Sequence, residues 1–140
     1  MTTTAALCNS FKQEILAMTP HTAADVYKIA LYTDAAATLN KSTTTYTATG
    51  EVTGTGYTAG GMALSGFSPT LDADTGILDW TTDPVWSTAT ITADTALIYN
   101  SSRANKAVGV IKFSSASSTN GPYTVQLPVP AAATGLARIV

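Results

Sequence analysis

The sequence predicts an all-β fold, mainly antiparallel, of the β-sandwich or jelly-roll-like barrel type, with one short N-terminal α-helix. Three observations carry this prediction. Short runs of β-branched or alternating residues recur at roughly ten-residue intervals, with turn signals between them. Helix-period patterns do not alternate with those runs, which argues against a parallel α/β sheet. The 140-residue chain is 45% hydrophobic but only 11% charged, and Ser and Thr make up about a quarter of it. Threonine suits a pleated surface because its branched side chain packs there and can be wetted without charge.

Taken in order, residues 1–8 read as an extended N-terminal arm and residues 9–19 as a short helix. In "ALCNSFKQEILAM" the residues Leu7, Phe11, Ile15 and Met18 recur at spacings of four, four and three, which lines one helical face. Lys12, Gln13 and Glu14 lie off that stripe, and Thr19-Pro20 ends it, since a residue before proline is pushed out of the α region. "VYKIALYT" (Val26–Thr33) alternates Tyr27, Ile29 and Leu31 against Lys28, Ala30 and Tyr32. "TTTYTATGEV" (Thr43–Val52), "TATITAD" (Thr88–Asp94), "ALIYNS" (Ala96–Ser101) and "KAVGVIKF" (Lys106–Phe113) read as further strands. "SSASSTNG" (Ser114–Gly121) reads as a loop closed by the tight-turn dipeptide Asn120-Gly121. "PYTVQLPV" (Pro122–Val129) points Tyr123, Val125, Leu127 and Val129 inward, with Pro128 marking an edge or the strand's end. The whole, residues 1–140, is expected to be one β-sandwich domain, long enough to bury about two-thirds of its unfolded surface.

Composition excludes several function classes. The net charge is −2 and the seven basic residues are scattered, so no basic stripe is available to neutralise nucleic-acid phosphates. No apolar run approaches the ~20 residues of a spanning helix, so no membrane partner is expected. The N-terminus lacks a basic region before its apolar residues and does not read as a secretory signal. The expected site of synthesis is therefore the cytoplasm. Cys8 is the only cysteine, which leaves no intramolecular disulfide or cysteine-based zinc site and reads as a small buried thiol. A weakly charged surface is prone to association, which suggests that a partner covers much of it.

The glycine-rich stretch "GEVTGTGYTAGGMALSG" (Gly50–Gly66) raises nucleotide binding, because Gly54, Gly56 and Ala59 match the loose form G-x-G-x-x-G/A. The fingerprint needs a helix N-terminus to hold the pyrophosphate, and "GGMALSGFSP" cannot start one. No glycine here precedes Lys and then Ser or Thr, so a P-loop is absent too. The glycines instead let a strand bulge, bend or pass close to a neighbour.

"DADTGILDWTTD" (Asp72–Asp83) raises calcium, but counted from Asp72 the sixth position is Ile77 and the twelfth is Asp83, where an EF-hand loop needs Gly and Glu. A turn with solvated acids is the expectation. His21 is the only histidine, with no second histidine or cysteine beside it, and no G-x-S-x-G elbow supplies a nucleophile. No catalytic, cofactor-binding or metal-ligating residue is therefore assigned, and no cofactor. Trp80 and Trp86 flank "TTDPV" and fit a core, a protein interface or a sugar-stacking platform.

Four segments carry a resemblance: "NSFKQEIL", "YKIALYTDAAATLNKSTTTYTATGEVTGTGYTAGGMAL", "ALIYNSSRANKAVGVIKF" and "TNGPYTVQLP". Together they resemble a family of small structural proteins of tailed bacteriophages, cyanophage-like and environmental, over Asn9 to about Ile139. The most specific part is "KIALYT…TTTYTATGEVTGTGYTAGG". The resemblance implies a virion component and brings no catalytic residues with it. It points first to a capsid decoration (cement) protein. Such a protein would bind the major capsid protein on the outer shell, self-associate as a homotrimer and join neighbouring capsomers, with the N-terminal arm reaching over a neighbour. A head–tail connector or tail component is the alternative within virions. A glycan-binding module using Trp80, Trp86 and exposed tyrosines is the alternative of another class. An enzyme is the least supported.

Overall fold

A computed structural model describes residues 4–139. In chain order the elements are β1 (Thr4–Leu7), α1 (Asn9–Leu16), β2 (Tyr27–Tyr32), α2 (Asp34–Ala37), β3 (Met62–Ala63), β4 (Phe67–Asp72), β5 (Thr75–Trp80), β6 (Val85–Asn100), β7 (Lys106–Thr124) and β8 (Ala137–Ile139). All strand pairs are antiparallel. One sheet has the order β1-β7-β6-β2-β3 and the other β4-β5-β8. The fold is all-β, as the sequence predicts.

The centre of the larger sheet is where the most apolar strands meet. β2 pairs with the last six residues of β6, Tyr27 opposite Asn100 through Tyr32 opposite Thr95. β7 covers the other edge of β6. Strand alternation sends Ile29 and Leu31 to one face and Ala30 and Tyr32 to the other, and all four are buried. A strand enclosed on both faces needs apolar residues at nearly every position. Leu97, Ile98 and Ile111 are likewise fully buried, each stabilising the fold by roughly 1.5–3 kcal/mol.

α1 is shorter than the 9–19 span expected. Phe11 is buried and Ile15 half-buried, but Met18 is 89% exposed and adopts a left-handed φ of 56°. The helix therefore ends before Met18 can join the stripe, with the Thr19 amide turning back to the Glu14 carbonyl. The expected N-terminal arm is corrected as well, since residues 4–7 are β1, an edge strand pairing with Gly109–Lys112; residues 1–3 lie outside the described residues. A second helical turn, α2, follows β2 and was not expected.

Three further corrections share one cause, which is that strand pairing depends on a partner the local pattern cannot name. Thr43–Val52 is not a strand but a loop, touching the sheets through isolated bridges of Thr45 with Lys106 and Tyr32 with Glu51. Conversely, the two strands expected at Thr88–Asp94 and Ala96–Ser101 are continuous in one sixteen-residue strand, β6, which ends at Asn100 and leaves Ser101 in the turn. Ser114–Gly121, expected as a loop, is the middle of the nineteen-residue β7, where Ser117 lies opposite Thr92 and Gly121 opposite Ala89. Irregularities in the pairing absorb the local turn tendency, and Asn120 sits at φ 48° within the strand. The Pro122–Val129 strand ends at Thr124; Tyr123 and Val125 are buried, while Val129 is exposed.

The acid-rich segment is also recast. β4 and β5 form a hairpin, Phe67 opposite Trp80 through Asp72 opposite Thr75. Asp72 and Asp74 are exposed at its turn, but Asp79 is buried within β5 rather than solvated.

Candidate functional site

The glycine-rich loop is held by a carboxylate. Glu51 Oε2 accepts the Tyr46 phenol at 2.6 Å, and Oε1 accepts the Tyr57 phenol and the Gly60 amide, each at 2.7 Å. Tyr57 in turn accepts the Leu31 amide from β2 at 2.9 Å. The Tyr99 phenol donates to the Gly60 carbonyl at 2.7 Å. Burial, with the Glu51 charge adding to it, raises the Tyr99 phenol, pushes Tyr57 well above its ordinary range and Tyr46 up to about 12. These hydroxyls are therefore donors and not proton-transfer groups near neutral pH.

Close packing explains the glycines. A Cβ on Gly56 would lie 1.8 Å from the Thr88 carbonyl of β6, and one on Gly61 would lie 1.8 Å from the Ile29 carbonyl of β2. Both have positive φ, 79° and 72°. Gly54, Gly56 and Ala59 lead into turns, and no helix N-terminus follows them. A polar groove of about 610 Å³ beside this loop is lined by hydroxyls, including Thr33, Thr53, Thr90, Thr92 and Ser117, and by no aromatic side chain.

A second polar cluster surrounds His21, in the connection between α1 and β2. Its Nε2 lies 2.7 Å from Glu14 Oε2, and its Nδ1 lies 3.1 Å from the Asn100 side-chain nitrogen. Lys106 donates to Glu14 Oε1 at 2.6 Å. Asn100 and Arg103 both donate to Asp25 Oδ2, at 2.9 and 3.1 Å. Partial burial raises the Glu14 carboxyl, but the hydrogen bonds from Lys106 and His21 outweigh it and hold that group below its ordinary value. The Thr22 amide, then Asn100 and Arg103, hold Asp25 well below the carboxylate range. Both histidine nitrogens are engaged, so the ring is not free to serve as a general base. Cys8 is buried, and that burial pushes its thiol up to about 11, against a smaller opposing effect of Lys12.

Trp80 and Trp86 are core residues, 2% and 6% exposed. The Trp80 ring meets Tyr27 edge-on at 5.3 Å and Phe67 at 5.9 Å; Trp86 meets Tyr57 at 5.8 Å and Tyr123 at 6.3 Å. Neither presents a face on which a sugar could stack. Asp79 has one carboxylate oxygen without a hydrogen-bond partner, and burial, with Asp83 adding to it, raises its pKa. Among the described residues no group of three His, Cys, Asp or Glu side chains is placed to hold a metal ion, and no helix is long and apolar enough to cross a membrane.

An apolar groove is a feature that the sequence does not predict. A groove of about 500 Å³ lies between α1 and the smaller sheet, with Phe11 and Ile15 on one wall and Leu71, Ile77, Leu78 and Ile139 among the residues opposite. Leu71 is 78% exposed and Ile139 61%, and neighbouring Leu16 on α1 is 84% exposed. Scattered exposed leucines are ordinary, but Leu71 and Ile139 exposed together on an apolar groove mark a contact surface. The sequence hint was Leu71, an apolar residue in the otherwise polar "SPTLDAD". No protein-family model, curated protein or solved structure matches the chain.

Proposed function

We propose that the protein is a structural component of a tailed-bacteriophage virion, acting as a capsid decoration (cement) protein that binds the outer shell and joins neighbouring capsomers. The apolar groove with the exposed side chains of Leu71 and Ile139 is the observation that carries a binding role, since such a surface gains stability when covered. The virion context comes from the resemblance described above. A small, weakly charged β-domain suits this task, because many copies, each burying modest area, convert weak contacts into a stable shell. The major capsid protein is the proposed partner, and self-association as a homotrimer the proposed assembly. The burial of Trp80 and Trp86 removes the platform on which a glycan-binding reading relied.

Quantitative mass spectrometry of purified virions tests the proposal. A copy number comparable to that of the major capsid protein is expected. A dozen copies or fewer would assign the protein to the connector or tail, and absence from virions would overturn the virion reading. Leu71→Asp and Ile139→Asp are expected to lower shell occupancy at least tenfold while leaving the fold intact, because both side chains are largely exposed.

A further inference from the structure

We propose that His21 is a proton-operated latch, which in its neutral form accepts a hydrogen bond from Asn100 at the end of β6 and on protonation gives up that bond while keeping its hold on α1, Asp25 still joining the α1–β2 connection to Asn100 and Arg103.

The neutral tautomer follows from the hydrogen bonds around Asn100. Its side-chain oxygen accepts the Ser102 backbone amide at 3.1 Å, a donor that cannot reverse its role. The amide nitrogen must then face Asp25, at 2.9 Å, and His21 Nδ1, at 3.1 Å. Nδ1 is therefore an acceptor without a proton, and the ring proton sits on Nε2, donated to Glu14 at 2.7 Å. Asn100 is fully buried and cannot turn its oxygen toward Nδ1 without abandoning both Ser102 and Asp25.

Charge balance agrees. Around the ring, Glu14 from α1 bonds it directly and is bonded in turn by Lys106 from β7, while Asp25 from the connection to β2 shares the Asn100 amide with it and binds Arg103 from the β6–β7 turn, with the neutral Phe11 ring 4.9 Å away edge-on. Two carboxylates and two cations cancel when the imidazole is neutral. A proton on Nδ1 would bring two N–H groups face to face at the Asn100 contact while strengthening the bond to Glu14. Glu14 and Asp25 are both held below their ordinary values, so both carboxylates are kept charged in this cluster. α1 carries Phe11 and Ile15, which form one wall of the apolar groove. Lys106 of β7 also binds Glu14 directly, so α1 stays on the larger sheet and the protonation step is confined to the Asn100 contact. The latch stands independently of the virion reading.

The chain has a single histidine, so its imidazole nitrogens are resolved without ambiguity by nitrogen-detected NMR of the uniformly labelled protein. At pH 8 the Nε2–H tautomer with an accepting Nδ1 is expected. On acidification, exchange of the Asn100 side-chain and Ser102 amide protons, corrected for the intrinsic effect of pH, should accelerate at least tenfold in the same step as ring protonation. The His21→Gln variant should lose that step. An Nδ1–H tautomer at pH 8 would overturn the proposal, and because it is read on the wild-type protein it does not depend on the variant folding. Unchanged Asn100 and Ser102 exchange across the ring's titration, or the same step persisting in the variant, would overturn it equally.

Discussion

Glu51 Oε1 accepts the Tyr57 phenol at 2.7 Å, and the same phenol oxygen accepts the Leu31 amide at 2.9 Å. Two residues six apart thus pin the glycine-rich loop to the central strand β2. Removing the carboxylate leaves two phenols and the Gly60 amide without their acceptor. Glu51→Ala is expected to cost about 2–4 kcal/mol by denaturant unfolding, because unsatisfied polar groups cost about 1–3 kcal/mol each and the losses overlap. Glu51→Gln, which retains one acceptor oxygen, should lose roughly half as much. A Glu51→Ala variant within about 0.5 kcal/mol of the parent would show that the loop is held by packing alone.

The loop glycines differ sharply from those in open strands. Gly56→Ala would drive a methyl into the Thr88 carbonyl at positive φ and should destabilise by about 3 kcal/mol or more, or prevent folding. Gly76→Ala in β5 meets nothing closer than 3.9 Å and should be neutral to slightly stabilising. Thermal unfolding of the two variants separates the outcomes, and equal losses would refute the close-approach account.

Asp79 is a buried carboxyl whose pKa is raised by burial, with Asp83 adding to it and a backbone hydrogen bond at Trp80 opposing. A carboxyl raised in the folded state binds more protons there than in the unfolded chain, so its contribution to stability falls as pH rises through the unfolded and then the folded value. Asp79→Asn removes the charge at nearly constant shape. It should therefore stabilise the protein by about 1 kcal/mol at pH 7 and by nearly nothing below pH ~3.5. Stability of both proteins against pH checks the sign, and a pH-independent difference would sink the argument.

Trp80 and Trp86 report on the core. Their emission should be blue-shifted and poorly quenched by acrylamide until the protein unfolds. Trp80→Ala is expected to cost about 3–5 kcal/mol, since it vacates the space against Tyr27 and Phe67. Efficient quenching in the native state would place the indoles at the surface.

Cys8 is buried, and its thiol is pushed up to about 11 by that burial. Because the thiolate is the reactive form, labelling by iodoacetamide at pH 8 should be at least a hundredfold slower than for free cysteine and should recover on denaturation. Rapid labelling of the native protein would show that the Cys8 region opens readily.

How much was legible beforehand depended on whether the determining contact was local. The helix around Phe11, the alternation of β2 and the buried thiol were readable, because side-chain spacing and size act over a few residues. So was the absence of a helix after Gly54, Gly56 and Ala59, since the residues that follow cannot start one. The groups around His21 were not legible, because Glu14, Asp25, Asn100 and Lys106 come from four separate segments. Nor was the groove, whose two walls belong to the N-terminal helix and to strands fifty residues and more downstream.

The sequence by itself determined the all-β class, the weakly charged surface and the apolar strands of the core, because composition and two-residue periodicity set what each segment can bury. Tertiary structure decided the rest. Ser114–Gly121 is extended because β6 supplies its hydrogen bonds, whereas Thr43–Val52, with equal strand tendency, meets the sheets only at isolated bridges and is held instead by phenols converging on Glu51. Strand tendency is a local property, but a strand exists only where a second backbone offers its donors and acceptors, and that partner is chosen by the whole fold.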